Sequence, residues 1–84
     1  MKTANVESIV KDLAYDNFNM YPESYPLNEN GTATDEASMA VQDLASNYFD
    51  NRQEAEIERD EDLGITKIDY VEWCMNAFSN HIAK

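Results

Sequence analysis

Eighty-four residues make one domain, near the lower end of what buries an adequate core without a metal, a disulfide or a partner. Seventeen acids against six bases leave a net charge of −11, beyond the magnitude of roughly 2 to 8 that suits a small domain, so nucleic acid and anionic membrane surfaces are excluded as direct ligands. A single cysteine, Cys74, excludes an intramolecular disulfide and a cysteine-held zinc, and no run approaches the ~20 apolar residues of a membrane span.

The lone thiol fits a reducing compartment, and the N-terminal stretch MKTANVESIVKDLAYD lacks the continuous apolar core of a signal peptide, which together predict a soluble, cytoplasmic protein. Leu, Ile, Val and Phe number only 16 of 84, a fraction that with this charge falls on the disordered side of composition rules. Nine aromatics and four methionines supply apolar area that the count ignores, and they tip the expectation to a folded, all-α chain.

The apolar positions Val6, Ile9, Val10, Leu13, Ala14 and Phe18 follow i, i+3, i+4, i+7 spacing and predict a first helix over about 4–18, capped by Thr3 or Asn5. Residues 19–34 hold both prolines and the Asn30-Gly31 dipeptide, and read as a long connection. An Asn-Gly hairpin competes with that reading, but Pro26 and the lack of alternation argue against it. Tyr21, Tyr25 and Leu27 are expected to pack on the helices.

A second helix from 35 to about 51 carries the cleanest periodicity: Ala37, Ala40, Val41, Leu44, Ala45, Tyr48 and Phe49. Thr34 or Thr32 can cap it, and Asp35 and Glu36 suit the positive end of its dipole. Extending the stripe gives Arg52, Ala55, Arg59 and Leu63, so this helix either continues to about 61 or stops near Asn51 before a short separate one. Like-charged i, i+4 pairs, Glu54 with Glu58 and Glu58 with Asp62, weaken the tract by a few tenths of a kcal/mol each. Gly64 marks a break, and Thr66 with Asp69 resembles a capping box opening a helix over 67–82. Ile68, Val71, Met75, Phe78 and Ile82 form a heptad seam on it, widened by Tyr70, Trp73, Cys74 and Ala77.

No motif here carries catalysis. The stretch DEDLGITKIDYVEW looks like a calcium loop with its exit helix, yet the register fails. With Gly64 sixth, Arg59 falls first, Leu63 fifth and Tyr70 twelfth; with Glu72 twelfth, Leu63 and Ile65 fall third and fifth. The NENG turn fails likewise, with Pro26 first and Ala37 twelfth. His81, the only histidine, reads as a solvated cation at a helix C-terminus, and Cys74 as a small core residue. No Gly-rich phosphate loop is present. The expectation is a non-enzymatic protein with no cofactor and no metal.

Charge remains, and its placement suggests a basic partner. Carboxylates at i and i+4 lie about 6 Å apart along a helix, close to two nucleotide steps of roughly 3.4 Å each, and Asp12 and Asp16 have that spacing. Glu36, Asp43 and Asp50 recur every seven residues down one polar stripe, and Glu54, Glu56, Glu58, Asp60, Glu61 and Asp62 extend the negative surface past its end. These nine are the candidate partner-binding residues.

In composition, size and helical character the chain resembles the small acidic helical proteins with which bacteriophages block restriction enzymes or CRISPR effectors by imitating DNA. That resemblance implies an inhibitor acting in the cytoplasm of an infected host, seated in a nucleic-acid channel or on the arginine-lined site that reads a short motif beside the target. The competing expectation is a helical protein–protein interaction module, homodimeric through the 67–82 seam, whose acidity serves solubility or a high-salt environment.

Overall fold

Phe18, Tyr25, Phe78 and the half-buried His81 stack at one end of a narrow core, and Phe49, Tyr70 and Trp73 close the other. Between them, small residues (Ala14, Ala37, Ala45, Cys74 and Ala77, all fully buried) let the helices approach closely. The computed structural model describes residues 2–83 and places four helices there, with no strand among them: α1 (Lys2–Met20), α2 (Asp35–Asp50), α3 (Glu54–Leu63) and α4 (Lys67–Ile82).

Helix α1 buries Val6, Val10, Ala14 and Phe18, a line of i+4 steps. It begins earlier than the periodicity predicts, so Thr3 and Asn5 lie within the helix and neither caps it. Ile9 and Leu13, the i+3 members of the same rhythm, stay 52% and 45% exposed. The helix presents a narrower buried edge than its sequence advertises.

In the connection, a 3-10 turn at Pro22–Ser24 brings Tyr25 inward, where its hydroxyl donates to Asn17 Oδ1 and its ring meets Phe18 edge-on at 4.9 Å. Tyr21 and Leu27, expected to pack likewise, are exposed. Asn30-Gly31 does turn the chain back on itself, with Gly31 at φ +84° and Asn28 N–H donating to the Thr32 carbonyl at 2.7 Å, but the pairing stops at one bridge, Leu27 to Ala33. A proline on one flank cannot extend a ladder.

Thr34 caps α2 by accepting from the Ala37 N–H at 3.0 Å. The helix ends at Asp50, so it does not continue to 61. Arg52 provides the physical reason: its Nε donates to the Phe49 carbonyl at 2.7 Å, filling an acceptor that the next helical turn would otherwise use. Glu56 then accepts from the Gln53 N–H at 3.0 Å and opens α3, which Gly64 closes at φ +71°. Thr66 N–H donates to Asp69 Oδ2 at 2.8 Å to open α4, as a capping box should.

On α4 the buried side is Tyr70, Trp73, Cys74, Ala77 and Phe78, rotated from the predicted heptad seam. Val71, Met75 and Ile82 only flank the core, and Ile68 is 72% exposed. Tyr70, Trp73, Cys74 and Ala77, expected only to widen the seam, are the centre of the face because α4 packs against both α1 and α2, which demands a wider arc than a two-helix seam. Phe18 meets Phe78 where α1 and α4 end, and Ile9 and Val10 share a hollow with Tyr70 nearer their beginnings, so the two run parallel; α2 runs antiparallel to both, its Phe49 meeting Tyr70 and its Tyr48 hydroxyl donating to the Leu13 carbonyl at 3.0 Å. Helix α3 lies across the end where α1 and α4 begin and α2 finishes. The whole measures 42 × 23 × 20 Å.

Candidate interaction surface

The acidic tract does not form one uniform surface. Within α3, Glu54, Glu58, Glu61 and Asp62 face solvent and Glu56 is half-buried in its capping role. Asp60, predicted as a partner-contacting acid, is the exception: it is completely buried. Its Oδ2 accepts from Arg52 Nη1 at 2.8 Å and from the Tyr70 hydroxyl at 2.6 Å, while Oδ1 accepts from Arg59 Nε at 2.9 Å. The Arg52 guanidinium also lies 3.6 Å over the Phe49 ring, which stands edge-on to Tyr70 at 5.2 Å. An acid cannot enter a core without such partners, and here two cations and a phenol satisfy it.

Burial alone would raise the Asp60 carboxyl, but hydrogen bonds from Arg59, Tyr70 and Arg52 outweigh it and hold the group below its ordinary 3.8. The same hydrogen bond keeps Arg59 firmly charged. Tyr70 is pushed up to about 12, first by burial and then by its bond to the carboxylate, so it stays a donor at neutral pH. Burial likewise lifts the Cys74 thiol to about 11, which makes it an inert core group.

On α2, Glu36, Asp43 and Asp50 are exposed along the predicted polar stripe, with Asp50 Oδ1 2.9 Å from Lys67 Nζ. Asp12 and Asp16 are exposed on α1, where the neighbouring Lys11 is held by Glu7 at 2.7 Å. Lys11, Arg52, Arg59 and Lys67 thus each face a carboxylate. Taking Asp60 and its two arginines together as one buried unit of net +1, the rest of the chain carries sixteen acids against four lysines.

His81 departs from the solvated cation expected of it, being half-buried with its ring 5.5 Å from Phe18 and stacked over Phe78 at 6.5 Å. No group of three or more His, Cys, Asp or Glu side chains is arranged to hold a metal ion among the described residues, and no helix there is long and apolar enough to cross a membrane.

Sequence reasoning missed the Asp60 constellation, although a trace of it was present. Arg52 and Arg59 are the only arginines, and both fall on the apolar stripe extended from α2. Two inward-pointing guanidiniums demand a buried anion. Fold and surface together describe an all-helical, strongly acidic protein built on one buried ion cluster. No family model, curated protein or solved structure matches the chain.

Proposed function

We propose that this protein is an acidic inhibitor that imitates nucleic acid and occupies the DNA- or RNA-binding site of a basic protein such as a nuclease, a restriction enzyme or a CRISPR effector. The observation that carries the reading is the disposition of charge. Both arginines are drawn onto buried Asp60, while seven of the nine candidate acids stand exposed on α2 and α3.

Eleven excess negative charges over a 42 Å long axis amount to about one per 4 Å, against one per ~3.4 Å along a single nucleic-acid strand. A cleft lined with arginine and lysine meets a comparable field from either. Long-range attraction then speeds encounter, and the rigid helical frame keeps the carboxylates in place without the ordering cost of a flexible acidic tail.

The test is inhibition of DNA cleavage by purified nucleases and CRISPR effectors across a salt series, with DNA as competitor. The expected result is mutual exclusion with DNA and affinity that falls steeply as salt rises. Affinity indifferent to salt, or a ternary complex in which DNA stays bound, would replace this reading with that of a helical interaction module. The homodimer form of that alternative has little left to use, since Phe78 of the heptad seam is buried in its own core and Val71, Met75 and Ile82 pack against it.

A further inference from the structure

Helix α3 is tied to the rest of the molecule by the Asp60 cluster, through Arg52 just beyond α2 and Tyr70 of α4, and by Leu63, which packs against the edge of the core. It does not close over α1. Between Val6 and Ile9 of α1 and Leu63 of α3 lies a cavity of about 370 Å³ with Asp62 at its rim. Ile9 and Arg59 also line a second hollow of about 190 Å³, which carries the groove on to Leu13 and Glu56. Ile9 and Leu13 are among the few large apolar side chains left substantially exposed.

We infer that this groove between α1 and α3 receives a basic amphipathic helix of the partner protein. The inference deepens the proposed function and rests on its premise that the partner is basic. Ile9 and Leu13 stand one turn apart, about 6 Å along the axis, which suits the i, i+4 anchors of a helix laid in a groove. Two acids stand at this apolar floor, Asp62 at one end and Glu56 at the other, and two arginines, Arg59 and Arg52, line it with them. Both arginines are engaged by buried Asp60, Arg52 through Nη1 at 2.8 Å and Arg59 through Nε at 2.9 Å, which leaves the two acids as the groups open to an incoming cation.

Charge also decides between occupants. A second copy of this chain would bring another −11 against these carboxylates, and a nucleic acid or an anionic lipid surface would repel in the same way. A helix with aliphatic residues on one face and lysines or arginines beside them satisfies both floor and rim. Its apolar face covers Ile9 and Leu13, and its cations reach Asp62 and Glu56.

The experiment uses two labelled peptides of ~18 residues, about 27 Å as helices: one with leucines in heptads among lysines, the other with glutamine in place of each leucine. Fluorescence anisotropy reads their binding to the full chain at low and high salt. The Leu/Lys peptide should bind more tightly, and I9Q/L13Q should lower its affinity roughly tenfold while leaving the Gln/Lys peptide and the melting temperature unchanged. Leu27→Gln, an exposed apolar change at the opposite end, should have no effect. The single Ile9→Gln change, at the more exposed position, repeats the test with less disturbance of packing. Equal affinities for the two peptides, or indifference of Leu/Lys binding to Ile9 and Leu13, overturn the groove and leave the charge reading standing. Peptide binding indifferent to salt and to replacement of Glu54, Glu58 and Glu61 by Gln overturns the charge reading itself.

Discussion

Asp60 sits where three side chains converge, and its role follows from what would happen without it. Asp60→Asn keeps the shape but leaves Arg52, only 10% exposed, facing a neutral amide. Breaking a buried pair in this way costs about 3 kcal/mol, measurable as a lower urea midpoint with unchanged helicity. Tyr70→Phe removes one donor and should cost about 1–2 kcal/mol, because the carboxylate keeps both arginines. The acid limb of stability has a defined sign. Asp60 has a lower pKa folded than its ordinary 3.8, so its contribution is fully present above that value and is lost as pH falls through the folded one. The stability gap between wild type and Asp60→Asn should therefore close as solutions are taken below about pH 4. A gap constant down to pH 2 would mean that the carboxylate is not ionised in the fold.

Helix α3 shows how a segment poorly stabilised by its own chemistry becomes ordered. Its like-charged i, i+4 neighbours oppose it, yet a capping pair at Gln53 and Glu56, a left-handed glycine at 64 and the buried ion cluster hold it in place. Replacing exposed Glu54, Glu58 and Glu61 together by Gln should leave urea stability within about 0.5 kcal/mol of wild type or raise it, while weakening partner binding. Unchanged binding would move the interface off this helix. Gly64→Ala meets no neighbouring atom, so its effect is confined to the backbone at φ +71°, about 1–2 kcal/mol of destabilisation. The sequence left this element open between an extension of α2 and a separate helix because Arg52 fits the apolar stripe of one and the capping need of the other. Only its bond to the Phe49 carbonyl distinguishes them.

At the scale of the molecule, one charge distribution has two consequences of opposite sign. Adding salt screens repulsion among the exposed carboxylates and should raise the melting temperature of the free protein. The same addition should weaken its complex with a basic partner. A melting scan and a binding titration over the same salt series check both. A melting temperature independent of salt would show that the acids are too dispersed to strain the fold. The groove lies beside the most acidic helix, so attraction at long range and apolar anchoring at short range can act on one partner surface.

The sequence by itself determined the all-helical class, the start and core face of α2, the capping of α4, the break at Gly64 and the excess of negative charge, because these depend on period, caps and composition, all of them local. Tertiary structure alone decided which acid left the surface and which apolar residues stayed on it. Asp60 and Asp62 are the same letter, and Val10 and Ile9 are equal members of one stripe. What separates them is whether the side chain turns to where Arg52 and Tyr70 converge from outside its helix, or to a face that no helix covers, and that is a property of how the elements pack rather than of any one of them.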